Sequence, residues 1–463
     1  MDIGWVHRGF AAGLLLSLGG FSFGGFNPSE KERILAYWNE AGRYEARQPD
    51  SLKQPWAVRY TPEGSLWLWA YNNKRGYGKI FVVPAPRNEQ EKQWEDWIEA
   101  KIAYDKWLAQ RAVNAENAKL GLKVEPAGTE PHLPGAIPES LRMLVGDAPE
   151  FVLAVQPKQH DVVFHDGVKV SLVDNPAMKH RYPYYRAAEG VMHGGTPLSK
   201  VPGSELDSLF AAAGITPSAR KVMNAVSKLE GGFDSVNTYD TGYVSVGFIQ
   251  FACLSRGAGS LGAVLLRQKQ NDSAAFDADF RQYGLDVKED GTLVVLNLTD
   301  GQEVEGFFAA KQIIKDKRMI AVFQRAGKLS KPFRVAQLQE AKAQYFPDEE
   351  TFDLKLGGQT VSVKVADVVR SEAGLATVMD RKVNLGKITP LPSVAQSVID
   401  QYGIKSLDQL VKYEREIVEG VRFRKDYLQD GSLTQPAAMP ASSRSKPSPT
   451  SRKSTRKGRG NGS

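Results

Sequence analysis

Apolar and polar positions change period several times along the chain. From about Ser204 onward the apolar residues recur mostly at helical spacing. Helices are predicted over Phe307–Gln324, Pro332–Gln344, Val365–Met379 and Val394–Gln401. Two alternating stretches interrupt them and read as hairpins. One is Thr292–Val304, turning at Thr299-Asp300-Gly301, and the other is Phe352–Val365, turning at Gly357-Gly358. Before Ser204 the texture differs. Ser29 to Arg47 reads as a helix with Ser29 as N-cap and Glu32 three residues on. In SLWLWAYNN, alternation puts Trp67, Trp69 and Tyr71 on one face and Leu66, Leu68 and Ala70 on the other, as in a strand. A long helix follows from about Asn88 to Lys119. DVVFHDGVKVSLVD reads as a hairpin turning at Asp166-Gly167.

These elements predict an α+β protein. A smaller aromatic-rich α+β module at 27–120 leads into a linker and hairpin region at 121–203, where prolines 126, 131, 134, 138 and 149 mark loop. A mainly α-helical domain with a small β-hairpin follows at 204–430. The 463 residues suffice for two or three cores, and nothing repeats at a fixed period, so a solenoid is not indicated. All eight tryptophans lie between Trp5 and Trp107. Their faces suit the apolar faces of sugar rings, and they equally suit the filling of a small core.

Charge changes the picture at the ends. The net charge is +7, and after Asp430 there is no acid but seven cations, from Arg444 to Arg459. The body is therefore neutral, and 431–463 reads as a disordered basic tail, too poor in apolar residues to fold. Such a tail attracts anionic polymers such as teichoic acid, lipid headgroups or nucleic acid, or else serves only as a solubilising end. Nothing suggests sequence-specific nucleic-acid binding. At the other end, Arg8 precedes an uncharged run from Gly9 to Ser29. Residues 1–26 resemble an export signal, with a membrane anchor as the alternative. An exported protein, periplasmic or extracellular, is the expectation. The single cysteine, Cys253, permits no internal disulfide.

Candidate chemistry concentrates in EGGFDSVNTYDTGYVSVGFIQ, residues 230–250. Thr216-Pro217 is a helix start, and Val222, Met223, Val226 and Leu229 then recur on one face. Glu230 ends that face, and Gly231-Gly232 stops the helix. A carboxylate at a helix C-terminus, beside apolar neighbours, is expected to have a raised pKa, as a general acid requires. Asp240-Thr241-Gly242 supplies a turn, and Tyr243 to Gly247 alternates as a strand. The fold-back makes a two-sided site in which a dry acid, Glu230, faces a wetter one, Asp240. The bland alternative is that Glu230 caps a helix end and Asp240 serves a turn. Asp234 is a rival second carboxylate, placed so near the helix end that a structural role is expected.

The run Glu230, Asp240-Thr241, Gly242-Tyr243, Ser245, Gly247 resembles the pattern of phage-type lysozymes. Gly247-Phe248-Ile249-Gln250 looks like the Gly-Leu-Met-Gln signature of the related lytic transglycosylases. SEAGLATVMDRKVNLG, Ser371–Gly386, is reminiscent of a late helix and asparagine-containing turn in the same lysozyme-like superfamily. The specific likeness covers about twenty residues. Ser245 stands where threonine is usual, the strand's terminal histidine is absent, and residues 250–430 have no counterpart in the pattern. The resemblance implies a lysozyme-like domain that cleaves peptidoglycan or a related amino-sugar polymer without a cofactor. It implies that Glu230 is the general acid, with Asp240 and Ser245 positioning water. In the transglycosylase version Glu230 acts alone as acid and then base. Tyr239, Tyr243, Phe248 and Gln250 would line the sugar cleft.

The residue inventory points the same way. The six histidines, His7, His132, His160, His165, His180 and His193, all precede the candidate domain and Cys253. They form no zinc-ligand motif and no papain-like order of nucleophile and base. Carboxylates are what remains, and two of them flanking one bond is the general glycosidase requirement. An enzyme of this kind is expected to expose Glu230 and Asp240 to one groove. A Glu230 sealed away or paired to an arginine would speak for a non-catalytic wall-binding protein with the same fold.

Overall fold

Asn27 opens the first helix, Pro28–Asn39. Its side chain accepts from the Glu30 N–H, and Glu30 returns a carboxylate to the Asn27 N–H. That capping box lies two residues before the predicted one, because Asn27 and Pro28 form the stronger start signal. The helix ends at Asn39, and Tyr44–Arg47, expected to be helical, is a strand. A computed structural model of the chain describes residues 25–50, 55–77, 85–174, 190–240 and 242–438. The expected export segment up to residue 24, most of the basic tail and Thr241 lie outside the described residues, while Phe26, assigned to that segment, is buried in the main core.

The architecture is mixed α+β, with helices dominating several small antiparallel sheets. Tyr44–Arg47 pairs with Gln159–Val163, which pairs with Lys169–Val173 in the predicted hairpin. Nested inside that ladder, Ala57–Tyr60 pairs with Val152–Val155. Between these inner strands lies the aromatic cluster, built on Tyr60, Trp67, Tyr71, Trp94, Ile98 and Phe151.

The expected strand at Trp67–Tyr71 is instead the helix Pro62–Lys74. Thr61 caps it by accepting from the Gly64 N–H, and Pro62 sits in the first turn, the same signal that starts the helix at Thr216. A wide helical face buries Trp67, Leu68 and Tyr71 together, which alternation cannot do. Trp94 donates to Ser140 Oγ at 2.9 Å, and Trp38, in the main core, donates to the Tyr283 carbonyl at 3.0 Å. Buried indoles with satisfied N–H groups fill cores here. Behind them Arg75, 1% exposed, bridges Glu91 and Glu95 at 2.7 and 2.6 Å.

The main core runs from Phe26 to Leu433 and takes in the sheet Leu285–Val287, Leu293–Leu296, Glu303–Glu305. The predicted helix 307–324 is two helices, Gly306–Lys315 and Lys317–Leu329. Asp316 leaves helical geometry and caps the second through the Arg318 N–H. A second cluster joins the hairpin Thr351–Leu356/Gln359–Lys364 to the helices Leu391–Tyr402 and Glu414–Val421. The helix Glu372–Leu385 belongs to both, giving Ala373, Ala376 and Met379 to the first and Val378 to the second. It therefore fixes the C-terminal part against the helix Pro217–Ser227. The chain stays ordered past Gly431, where a disordered tail was expected to begin. Leu433 is buried, and the Thr434 N–H donates to Glu372 at 2.9 Å.

Candidate active site

The helix Pro217–Ser227 begins as expected, with the Thr216 hydroxyl accepting from the Ala219 N–H. Val222, Met223 and Val226 are buried, but Leu229 is 42% exposed because the helix has already ended. Glu230 follows in the turn, its N–H bonded to the Ser227 carbonyl. Gly231 has φ +135°, and a side chain there would meet Ser235 Cβ at 2.7 Å. The Gly232 N–H donates to the Gly194 carbonyl at 3.0 Å. The two glycines thus fold the chain straight back onto a four-stranded meander of Met192–His193, Val236–Asn237, Ser245–Val246 and Phe251–Ala252.

The meander differs from the predicted hairpin in two ways. Its strand Ser245–Val246 is short, because Tyr243 has φ +64° and leaves the extended region. It also recruits residues 192–193, so His193 comes to its edge opposite Val236. Burial pushes the His193 imidazole below its ordinary pKa, against the pull of Asp234. Asp234 itself holds this edge strand down by accepting from the Thr196 N–H at 2.6 Å. Among the described residues, the non-glycine positions with positive φ are Tyr243, Gln250 and Leu254, all in this meander and its exit. Each such residue costs on the order of 1–3 kcal/mol, and such outliers gather at functional sites.

The predicted site residues fall in different surroundings. Asp240 and Ser245 come together: a side chain at Gly242 would lie 2.6 Å from Ser245 Oγ and 3.0 Å from Asp240 Oδ1. Asp240 accepts from the Gly242 N–H at 2.8 Å and from Asn237 Nδ2 at 2.9 Å, so its carboxylate organises its own turn. Gln250 braces the fold-back, donating to Ser235 Oγ at 2.7 Å and to the Gly247 carbonyl at 3.1 Å. Tyr239 packs against the aromatic cluster of the preceding module, and Tyr243 against the main core. Phe248 does not line a cleft. It is fully buried between Phe233 and Phe251, since the tight turn at Gly247 points it inward.

Glu230 is paired, the condition expected to weigh against catalysis. Arg424 Nη2 lies 2.5 Å from Glu230 Oε1. The same nitrogen lies 2.5 Å from Asp380 Oδ1, whose side chain is 1% exposed. One cation therefore serves two carboxylates. Burial pushes the Glu230 carboxyl above its ordinary pKa, Arg424 pulls it down, and Asp380 pushes it up again; burial wins. The direction is the one the sequence predicts. Asn384, one turn after Asp380, donates to the Asp380 carbonyl at 2.9 Å and also bonds the Glu230 carboxyl. Asp380 Oδ2 and the Tyr427 hydroxyl are buried and lack hydrogen-bond partners.

Asp380, Asn384 and Arg424 are absent from the sequence-predicted site. A signal existed for the first two, since both lie in the Ser371–Gly386 stretch whose likeness to lysozyme-like domains is noted above. Arg424 had none, being one arginine among many in a loop. Among the described residues no cluster of potential ligands fits a metal ion, and no helix is long and apolar enough to cross a membrane. Comparison with protein-family models, with curated proteins and with solved structures returned no match.

Proposed function

We propose that the protein is a peptidoglycan-cleaving glycosidase of the muramidase type, with Glu230 as general acid. The observation that carries this reading is the raised carboxyl of Glu230, held at a helix exit against a strained meander. A protonated carboxyl near neutral pH is what a glycosidic oxygen needs in order to leave. Asp380 supports the assignment, because its negative charge offsets part of what Arg424 does to Glu230, and burial does the rest. Arg424 then orients a carboxyl whose pKa stays above its ordinary value. Asp240 and Ser245, gathered around Gly242, would hold the attacking water. Delivery to the wall belongs to this proposal, with the run after Arg8 as the export candidate.

Two observations favour other readings. Both Asp240 oxygens already serve the turn. That suits a lytic transglycosylase, in which Glu230 works alone as acid and then base. The Arg424 ion pair suits a wall-binding protein without catalysis. Solubilisation of isolated peptidoglycan by the wild type, abolished in Glu230→Gln, supports the enzyme. Equal inertness of both proteins would leave the binding reading.

A further inference from the structure

The helix Gly306–Lys315 buries Gly306, Ala309, Ala310, Ile313 and Ile314. Its other face leaves Phe308 67% exposed, an unusual place for a large aromatic side chain. Single exposed aromatics need no explanation, but this one is part of a row. The Phe308 ring meets Phe307 at 5.6 Å, and Phe307 meets Tyr243 at 5.7 Å, both edge to face. The Lys311 ammonium stands 4.8 Å from the Phe307 ring centre.

The row is tied to the candidate site by backbone. Leu254 donates its N–H to the Gly242 carbonyl at 3.0 Å, so the exit of the meander rests on the Asp240–Gly242 turn. Three residues on, Gly257 with φ +64° meets Gly306 so closely that a Cβ would lie 2.0 Å from the Gly306 carbonyl oxygen. That glycine-to-glycine contact fixes where Phe307 and Phe308 begin their helix. Tyr243 and the half-exposed Leu254 are both held in left-handed geometry on this side. The fold thus bears backbone strain and an exposed aromatic in one place.

We propose that Tyr243, Phe307, Phe308 and Lys311 form a glycan subsite continuous with the Asp240 turn. The rings take the apolar faces of successive pyranoses, and Lys311 takes a free carboxylate of the stem peptide. The occupant is an acidic amino-sugar polymer. This inference rests on the glycosidase reading and deepens it, adding residues that lie in the stretch after 250.

The test uses Glu230→Gln protein, so that binding is read without cleavage. Retention on isolated peptidoglycan and titration with chitin hexasaccharide are compared for Phe308→Ala, Lys311→Ala and a control, Met143→Ala, which is exposed elsewhere. Phe308→Ala is expected to weaken both by about five- to tenfold, the scale of one aromatic contact. Lys311→Ala should weaken peptidoglycan more than the uncharged oligomer, and Met143→Ala should change neither. Unchanged binding in Phe308→Ala, while the wild type still cleaves, overturns the subsite alone. A Phe308→Ala variant that binds normally but shifts from dimer to monomer by light scattering assigns the face to a second copy. Failure of the parent to bind or cleave either polymer removes the glycosidase reading and the subsite with it.

Discussion

Glu230 and Asp380 share a single guanidinium nitrogen. Arg424 Nη2 lies 2.5 Å from an oxygen of each, across 194 residues of sequence for the first and 44 for the second. With both carboxyls ionised the buried cluster carries one uncompensated negative charge. Protonating Glu230 removes it, and this adds to burial, the larger cause, in holding an arginine-paired glutamate above its ordinary pKa.

The pH dependence of cleavage follows. The acid form of Glu230 is the working form, so activity falls as pH rises through its raised pKa. Asp380→Asn removes a charge that holds this value up. The alkaline limb of the pH–rate profile should move to lower pH in that variant. An unmoved limb would show that Asp380 does not set the acidity of Glu230.

Stability carries the same sign. A group whose pKa is raised on folding gives its full stabilisation below the unfolded value and loses it as pH rises through the folded value. Glu230→Gln abolishes that loss and leaves Arg424 with Asp380 as a neutral pair. Thermal melting should place Glu230→Gln at or above the wild type near neutral pH, with the advantage shrinking toward mildly acidic pH. A variant melting well below the wild type at neutral pH would mean that the ion pair dominates over burial.

Removing the cation has the opposite effect. Arg424→Met leaves two carboxyls facing each other, one of them 1% exposed. Denaturant unfolding should show a loss of about 3–5 kcal/mol, the scale of a broken buried pair. A loss under about 1 kcal/mol would place the cluster in effective contact with solvent.

The meander has its own support. Gln337 donates to the Phe233 carbonyl at 3.0 Å and accepts from the Phe248 N–H at 3.3 Å. A Cβ on Gly247, where φ is +89°, would fall 2.2 Å from Gln337 Oε1. Gly247→Ala should cost roughly 2–4 kcal/mol, combining backbone strain with two lost buried hydrogen bonds. Equilibrium unfolding measures this directly, and a neutral result would mean the turn relaxes freely.

Local signals were legible in the sequence where one residue type fixes one geometry. Thr216-Pro217 started its helix, Asp166-Gly167 and Gly357-Gly358 turned their hairpins, and Glu230 met the fold-back at Gly231. Alternation misled at Trp67–Tyr71, because aromatic and aliphatic residue types alternate there while burial does not, adjacent Trp67 and Leu68 both being buried. Phe248 was expected in the cleft through the transglycosylase resemblance, and a short motif says nothing of depth. The left-handed turn that buries it shows only in the backbone. Arg424 was illegible for a different reason. Its role comes from the helix Glu372–Leu385, which docks on Pro217–Ser227 and sets Asp380 and Arg424 around Glu230. No local pattern records a contact across 194 residues.

The most direct test of hydrolysis by Glu230 is mass spectrometry of the sugar ends released from isolated peptidoglycan. New reducing ends are expected with the wild type and none with Glu230→Gln. Anhydro ends from the wild type would contradict hydrolysis and assign Glu230 alone to a transglycosylase. Reducing ends that persist in Glu230→Gln would remove Glu230 from the chemistry altogether.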